Sequence, residues 1–268
     1  MAEKTYTEQQ NIKYKQKLNE LLDILPDFCT QYFDSLEFNK QPRTKIAYAM
    51  DIKGFFEFLI ECVPQFKSYS MKDFNPSDLE KIDGTDITKY LRHVKLYKKN
   101  GRDVTNSESA AKRKLCALRR LYAYYYRYEI ISSNPTMKVD MPKIHEKAII
   151  RMEPNEVAEF LDNVESGNKL TKTQLQSHEK LKTRNYLEER KNLTPDEGHE
   201  NALFISAKNR RLCVRSVELL VKKYAQTVTT VKHITPHKLR STYGTNLYQE
   251  SQDIYLVADV LGHKDVNT

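Results

Sequence analysis

Apolar residues recur at helical spacing along much of this 268-residue chain. In residues 42–61 they return every three to five positions, as Ile46, Met50, Phe55, Phe58 and Leu59, which is typical of one buried helix face. The same criterion predicts helices over residues 27–35, 85–98, 109–128, 153–164, 185–191, 214–225 and 253–261. Residues 202–205 favour a short strand. The pattern therefore predicts a mainly α-helical protein.

Breaks in the pattern suggest two domains. Residues 132–147 contain Pro135 and Pro142, which interrupt helices, so this stretch is predicted to be an extended linker. It would separate a first domain over 21–131, preceded by a polar extension with some helix over 1–20, from a second domain over 148–268. Residues 63–84 are rich in turn signals, and the sequence KKNGRD at 98–103 is predicted to be a loop. Thr85 or Asp86 is the expected N-cap of the helix before that loop.

Glycine usage excludes several ways of binding phosphate. The chain has seven glycines, and the closest two are 17 residues apart, at Gly84 and Gly101. Neither a dinucleotide-binding fingerprint nor a P-loop can be built at that spacing. A phosphate site in this chain must therefore use side chains and helix N-termini.

Cysteine and histidine spacing predicts no metal site or cofactor. The four cysteines are scattered along the chain, and their spacing fits neither a zinc site nor a disulfide framework. His233 and His237 are four apart, but Pro236 lies between them and no third ligand is near. No run of 18 apolar residues exists, and the polar N-terminus lacks the apolar core of a secretory signal. We expect a cytoplasmic protein without membrane contact.

Positive charge is concentrated in the first half. Lys and Arg number 44 against 36 Asp and Glu, a net charge of +8, and residues 1–147 hold +6 of it. The helix predicted over 109–128 has no acid, five tyrosines and a core stripe of Leu115, Leu118 and Leu121. Such a helix could enter a DNA groove or follow a phosphate backbone; a solvated basic face that binds nothing is the alternative. Its candidate DNA-binding residues are Lys112, Arg113, Lys114, Arg119, Arg120 and Arg127.

A second candidate site begins near residue 235. Thr235 is a good N-cap and Pro236 a good first helical residue. His237 and Arg240 then lie three apart on the first turns, where the free N–H groups and the positive dipole end favour an anion. Lys238, in the same turn, is a further candidate DNA contact. An arginine fork and an imidazole at a helix start suit one phosphate group.

A third motif follows close behind. Gly262 is placed to end the helix predicted over 253–261 in a left-handed cap. His263 would then be presented just beyond the cap. A second imidazole could reach the same phosphate site.

These motifs resemble a known family. HKLRSTYGTNLY followed by VLGHKDVNT resembles the catalytic motifs of tyrosine site-specific recombinases, the phage-integrase and Xer-like group. The first half resembles the helical, SAM-like core-binding domain of that family in TKIAYAMDIKGFFEFL, SAAKRKLCALRRLYAYYYR and NPTMKVDMPK. The resemblance implies a core-binding bundle plus a mixed α+β catalytic domain, which here is mostly helical because its small sheet is largely missing.

The resemblance also implies a chemistry. His237, Arg240 and His263 match the residues that contact the scissile DNA phosphate in the family. A tyrosine oxygen attacks that phosphate and forms a 3′-phosphotyrosyl link, so neither a metal nor ATP is needed. The implied partner is duplex DNA, bound by a homotetramer when the protein is complete. A mobile element is the implied genetic context.

Two parts of the family pattern are missing. The nucleophilic tyrosine should follow the L-G-H motif, whereas Tyr243, Tyr248 and Tyr255 all precede His263. No T-G-x-R-x-S-E turn, which bears the first catalytic arginine, and no following lysine-bearing sheet are found. HEKLKTR and NYLEERKNL, which flank that region in the family, adjoin each other at residues 184–185.

The missing parts bear on activity. Arg184 and Lys208 are poor substitutes for the missing catalytic cations. We therefore expect this chain to bind DNA and to fail to cleave it. A non-enzymatic DNA-binding relative and a helical regulatory protein with a coincidental motif are the alternatives.

Overall fold

A computed structural model describes residues 5–99, 101–145, 150–166, 186–187 and 190–263 of the chain. It divides the chain into two units, Met1–Glu146 and Lys147–Thr268. Unit 1 contains the helices α1 (Tyr6–Ile24), α2 (Cys29–Ser35), α3 (Pro42–Cys62), α4 (Gly84–Lys95) and α5 (Glu108–Arg127), with the strands β1 (Leu96–Lys99) and β2 (Arg102–Thr105). Short 3-10 helices occupy Pro64–Phe66, Pro76–Lys81 and Pro135–Lys138.

Unit 1 is built around α3, which packs against α1 and α5. The predicted leucine stripe of α5 is buried, and Phe55 and Phe56 of α3 are buried with it. Each such side chain contributes roughly 1.5–3 kcal/mol through removal of apolar surface from water. Of the predicted α3 face, Met50 is 55% exposed and lies outside this core.

Buried tyrosines complete the core of unit 1. The hydroxyl of Tyr125 donates to the Phe28 carbonyl oxygen at 2.7 Å, and that of Tyr122 donates to the Leu79 carbonyl oxygen at 3.4 Å. Burial raises the pKa of both tyrosines above the ordinary range. They therefore remain neutral and satisfy their polar ends inside the core.

The stretch predicted as a loop at 98–103 forms a β-hairpin instead. Its strands pair antiparallel, with Leu96 opposite Thr105 and Lys99 opposite Arg102. The sequence Asn100–Gly101 is the preferred two-residue hairpin connection, and Gly101 has the positive φ of +73° that such a turn requires. The predicted helix 85–98 accordingly ends at Lys95.

The N-cap of α4 also differs from the sequence expectation. Asp83, rather than Thr85 or Asp86, caps α4, and its carboxylate accepts from the Asp86 N–H at 2.8 Å. Residues assigned to a polar extension form most of α1, which begins with a Thr5–Glu8 capping box and packs on α3.

Part of the expected linker packs on unit 1. Pro135 and Thr136 of the 3-10 helix Pro135–Lys138 are buried, as is Val139 directly after it. This 3-10 helix contacts α4 and α5. Gly84 at the start of α4 lies against this segment: a Cβ there would be in ordinary van der Waals contact with the Pro135 carbonyl oxygen, at 3.6 Å.

Unit 2 contains the helices α6 (Pro154–Ser166), α7 (Val214–Val228), α8 (Pro236–Ser251) and α9 (Ile254–Val260). A small core of Met152, Phe160, Tyr224, Ala225 and Ile234 joins α6 to α7 and to the start of α8. Residues 186, 187, 190 and 191 are helical, as predicted, while the remainder of the predicted helix over 185–191 lies outside the described residues.

The expected strand over 202–205 in unit 2 is not formed. Ile205 makes a single antiparallel bridge to Arg211, which closes a turn in which Asn209 has a φ of +54°. In the part of the chain that the structure describes, the hairpin of unit 1 is the only sheet. The expected mainly helical architecture is confirmed. None of the described helices is both long and apolar enough to cross a membrane.

Candidate phosphate site and nucleic-acid interface

Helix α8 begins at Pro236 behind the N-cap Thr235, as predicted. The Thr235 hydroxyl accepts a hydrogen bond from the Lys238 N–H at 3.4 Å. Pro236 has no N–H and the Leu239 N–H donates to the Thr235 carbonyl oxygen at 3.0 Å, so the His237 N–H is the donor that this turn leaves without an acceptor inside the helix. The positive end of the helix dipole lies at the same point. This end of α8 therefore favours a bound anion such as a phosphate group.

Helix α9 ends in the predicted left-handed glycine, because Gly262 has a φ of +64°. The N–H of Gly262 donates to the Asp259 carbonyl oxygen and that of His263 to the Ala258 carbonyl oxygen, both at 2.8 Å. These two bonds form a Schellman motif, which satisfies carbonyls left open at the helix end. The motif fixes the backbone of His263 directly beyond α9.

A hydrogen bond joins the two motifs. The Arg240 guanidinium on α8 donates a hydrogen bond to the Leu261 carbonyl oxygen at the end of α9. The helices also approach closely, since a Cβ on Gly244 would lie 3.0 Å from Leu261 Cδ1. Because a guanidinium has five N–H donors, Arg240 retains donors for a phosphate while it holds the turn that carries His263.

His237 and Lys238 lie in the first turn of α8. His237 is exposed and lines a groove of about 640 Å³, which is also lined by Lys222 of α7 and by His233. The Lys238 ammonium donates to the His233 carbonyl oxygen at 2.7 Å. The structure thus places His237 at the groove and turns Lys238 back toward the residues that precede α8.

Other sequence candidates in unit 2 are not drawn into this arrangement. Arg184 lies outside the described residues, and Lys208 is exposed in the turn before Asn209. Tyr243, Tyr248 and Tyr255 are 53%, 42% and 72% exposed on α8 and α9. Among the described residues, no group of three or more His, Cys, Asp or Glu side chains is arranged to hold a metal ion.

The six cations of α5 have different environments in unit 1. Arg113 and Lys114 both pair with the carboxylate of Asp51 on α3, the Lys114 contact measuring 3.1 Å. The Arg119 guanidinium donates to the Val139 carbonyl oxygen at 2.6 Å. These three side chains therefore have a role inside the protein in addition to any contact with DNA.

The remaining cations of α5 lie toward solvent. Arg120 and Arg127 are exposed, and Lys112 is half-buried. Within the described residues Lys112 and Arg127 have no acidic partner. Arg113, Arg120 and Arg127 recur every seven residues and so share one face of the helix.

Helix α3 contributes residues that sequence reasoning missed. The Arg120 guanidinium stacks over the Tyr48 ring of α3, 6.0 Å from its centroid. Asp51 of α3 pairs with Arg113, which lies two turns earlier on the same face of α5. No local signal could have shown this, because α3 and α5 are about 60 residues apart. We call the side chains of Tyr48, Arg113 and Arg120 the α3–α5 surface.

Two family models match this chain. The phage integrase family model matches residues 133–268, and the N-terminal SAM-like domain model of phage integrases matches residues 29–129. The chain therefore belongs to the phage integrase family. The first match contains His237, Arg240 and His263, and the second contains the α3–α5 surface.

Similar proteins include tyrosine recombinases. The chain is 27% identical to tyrosine recombinase XerC of Caldanaerobacter subterraneus subsp. tengcongensis, over 91% of this chain and 81% of that protein. It is 23% identical to tyrosine recombinase XerD of Oceanobacillus iheyensis, over 88% of this chain and 89% of that protein. The XerC alignment spans 298 residues, more than the 268 of this chain, so XerC carries residues that this chain lacks.

A solved structure shares the fold. The XerH site-specific recombinase bound to palindromic difH substrate, in a post-cleavage complex, superposes with a TM-score of 0.55. The superposition covers 84% of this chain and 74% of the XerH chain at 16% sequence identity.

Proposed function

We propose that this chain binds duplex DNA through the phosphate site of a tyrosine-type site-specific recombinase. The hydrogen bond from Arg240 to the Leu261 carbonyl oxygen carries the proposal, because it unites the H-x-x-R helix start with the L-G-H turn. DNA as the ligand is also supported by the names of the XerC and XerD relatives and by the DNA-bound XerH structure.

Each residue of the site has a proposed role at the scissile phosphate. Arg240 binds non-bridging oxygens through its planar fork. His237 and His263 stabilise the negative charge of the pentacoordinate state and can exchange protons near neutral pH. Lys238 adds a cation beside the same helix start. The backbone N–H of His237 and the positive end of the α8 dipole add to the attraction for the phosphate.

The proposed chemistry is a transesterification. A tyrosine oxygen attacks phosphorus, the bond from phosphorus to the 5′ oxygen breaks, and that oxygen leaves with a proton as a 5′-hydroxyl. The phosphotyrosyl ester keeps the bond energy for rejoining, so no external energy source enters the balance. Tyr243, Tyr248 and Tyr255 do not match the family position of the nucleophile, since all three precede His263.

We further propose that this chain binds DNA without cutting it. The XerC alignment is longer than the chain, and no first-arginine motif occurs in the sequence, which supports loss of an internal catalytic segment. Removing one preorganised stabiliser of transition-state charge commonly costs a factor of about 10²–10³ in rate. A non-enzymatic DNA-binding relative is the second candidate function, favoured by the same missing segment.

DNA binding itself is assigned to both units. The α3–α5 surface and the exposed Arg127 are the proposed contacts of unit 1, and the helix start of α8 is the proposed contact of unit 2. Assembly as a tetramer on DNA and service to a mobile element remain part of the proposal and rest on the family resemblance.

A paired assay tests binding and cleavage separately. Binding is measured with a labelled mixed-sequence duplex at several salt concentrations, and cleavage with nicked duplexes selected from a random pool for tight binding. We expect affinity that falls steeply with salt and no covalent protein–DNA adduct on a denaturing gel. The Caldanaerobacter XerC, given duplexes selected in the same way, is the control for adduct formation. Absence of duplex binding would overturn the proposal, and an adduct at a tyrosine would overturn its cleavage-deficient form.

A further inference from the structure

The segment that follows Val139 runs along one side of α5. The Arg119 guanidinium donates to the Val139 carbonyl oxygen at 2.6 Å. Six residues later, the His145 N–H donates to Glu108 Oε2 at 3.2 Å, and the His145 ring Nδ1 lies 3.0 Å from the same oxygen. We call residues 139–145 the strap. The sequence predicts only an extended linker here.

The two fastenings of the strap lie on one line of α5. Glu108 and Arg119 are eleven residues apart, close to three full turns, so they are separated by about 16 Å along the helix axis. The six residue steps from Val139 to His145 span about 20 Å when the chain is extended. The strap therefore runs nearly straight and antiparallel to α5.

The strap also packs on unit 1. Val139 is buried, and Met141 packs against the core of that unit. Hydrogen bonds from the ring and then from the N–H of His145 lower the pKa of Glu108, so this carboxyl is ionised at neutral pH. Apolar burial thus holds one end of the strap, and a charged acceptor holds the other.

The strap leaves the proposed DNA-binding face of α5 open. Each residue of an α-helix is rotated by about 100° from the one before it, so the line of Arg119 lies about 100° around α5 from Arg120 of the α3–α5 surface. A duplex bound to that surface has no need to displace the strap.

The strap shortens the connection to unit 2. Met152 is buried in that unit, and its N–H donates to Thr242 Oγ1 at 3.1 Å. Six residues, 146–151, lie between the strap and Met152. With the strap released after Val139, twelve residues, 140–151, would join the units. Doubling a connection lowers the effective concentration of one linked binding module at the site of the other by about threefold.

We infer that the strap couples the two units on DNA: fastened to α5 by Arg119 and Glu108, it stays closed when DNA binds and keeps the connection between the units short. The inference rests on the proposed function, because it presupposes that both units bind duplex DNA. It goes beyond that function by giving residues 139–145 a role that requires no contact with DNA.

The first test needs no DNA. Trypsin cleavage after Lys143, which is exposed between the two fastenings, is timed and quantified by mass spectrometry. Each rate is divided by that of a synthetic peptide of residues 137–149 with the same sequence. We expect Glu108→Ala and His145→Ala each to speed cleavage by about two- to fivefold, the range for loss of an exposed ion pair. The double variant should be no faster than either single variant, because both remove the same contact.

A control separates the strap from general loosening of unit 1. Asp27→Ala removes an exposed carboxylate that pairs with Lys72 at 2.7 Å and should leave cleavage after Lys143 unchanged. Thermal unfolding followed by circular dichroism checks that every variant folds. A parent cleaved as fast as the peptide, single variants no faster than the parent, or multiplied rates in the double variant would each overturn the strap.

The second test measures coupling on a fluorescein-labelled mixed-sequence duplex. His145→Ala should weaken binding by about threefold and change the slope of log affinity against log salt by less than about 0.5, since no phosphate contact of about 0.9 is lost. Glu108→Ala should also weaken binding, although removal of a negative charge by itself favours DNA.

The outcomes distinguish the two proposals. A parent chain without salt-dependent duplex binding would refute the proposed function and the coupling together, while the cleavage test would still decide whether the strap is fastened. A parent that binds DNA, with both variants equal to it or tighter in affinity, would refute the coupling alone.

Discussion

The guanidinium of Arg240 donates a hydrogen bond to the carbonyl oxygen of Leu261, two residues before His263. Carbonyl oxygens at a helix C-terminus lack N–H donors within the helix, and a cation there is favoured by the helix dipole. Arg240 thus stabilises the end of α9 and keeps donors for a phosphate. A lysine ammonium is a point charge and cannot present the same planar fork to both acceptors.

Replacing Arg240 should loosen the turn that carries His263. We expect Arg240→Ala to speed amide hydrogen exchange of Gly262 and His263 and to weaken duplex binding, because the same side chain holds the turn and is proposed to bind the phosphate. Arg240→Lys should retain more affinity than Ala while losing most of the exchange protection. The control is Arg210→Ala, which removes an exposed arginine paired with Asp196 at 2.9 Å in the same unit. Unchanged exchange at His263 in Arg240→Ala would contradict the assigned role.

Close approach of α8 and α9 depends on Gly244. A valine there would push its methyl groups against Leu261 Cδ1, which already lies 3.0 Å from the position of a Cβ. We expect Gly244→Val to lower the free energy of unfolding of unit 2 by about 1–3 kcal/mol through overpacking. Gln249→Val on the exposed side of α8 is the matched control, limited to a propensity cost below about 0.7 kcal/mol. Equal destabilisation of the two variants in denaturant titrations would argue against a tight helix contact.

Local signals made several parts of this fold predictable. Pro42, Thr235 and Gly262 determine where helices begin or end through their own backbone chemistry, and the structure confirms all three positions. The phosphate-site motif was readable for the same reason, because His237 and Arg240 share one short helix segment. Features that depend on residues a few positions apart can therefore be read from the local sequence.

Contacts between distant segments were not predictable. Asp51 binds Arg113 across 62 residues of sequence, and no pattern near Arg113 shows that its charge is already paired. Helical periodicity also ran past Lys95 into the hairpin, although Asn100–Gly101 carried a turn signal that should have prevailed. Pairing between distant segments places Asp51 at Arg113, whereas pairing between the neighbouring strands β1 and β2 ends the helix at Lys95.

Acid should destabilise unit 1 through Glu37. Hydrogen bonds from Lys15 and then from the buried Lys45 hold the pKa of this carboxyl at about 2, below its ordinary 4.5. Since the folded-state pKa is the lower one, its contribution is complete above about pH 4.5 and is lost as the pH falls toward 2. Glu37 is 40% exposed, so solvent screening reduces this contribution to about 1 kcal/mol.

Unfolding of Glu37→Gln as a function of pH tests this assignment. The variant should be less stable than the parent at neutral pH, because the Lys45 ammonium stays buried without its carboxylate partner. The difference between variant and parent should shrink as the pH falls from 4.5 to 2. A constant difference over that range would show that Glu37 does not titrate as stated.

The cysteines should differ in reactivity. A hydrogen bond with the Ser216 hydroxyl and further backbone N–H groups at the start of α7 lower the pKa of the exposed Cys213. Burial raises the pKa of Cys62 and of Cys29. Because the thiolate is the reactive form, iodoacetamide should label Cys213 first, and Ser216→Ala should slow it. Mass spectrometry of the labelled peptides measures this order; faster labelling of Cys62 would refute it.

Asp51 should affect stability and DNA binding in opposite directions. Its carboxylate is 1% exposed and neutralises Arg113 and Lys114, which border the surface proposed to meet DNA. Asp51→Asn removes the buried charge but keeps the shape. We expect a loss of about 1–3 kcal/mol in unfolding free energy, since two charge-assisted contacts weaken. At the same time Arg113 and Lys114, no longer paired with a carboxylate charge, should bind phosphates more strongly.

Duplex binding at varied salt measures the second effect. The slope of log affinity against log salt should steepen by up to about two in Asp51→Asn, because each new phosphate contact adds about 0.9. Asp27→Asn is the control: it removes one negative charge from the same unit, but Asp27 is 86% exposed, pairs with Lys72 at 2.7 Å and does not line the surface depression that Asp51, Arg113 and Lys114 share. If both variants steepen the slope equally, the effect is one of net charge. A steeper slope in Asp51→Asn alone means that Asp51 weakens the phosphate contacts of Arg113 and Lys114 in exchange for the stability of the α3–α5 contact.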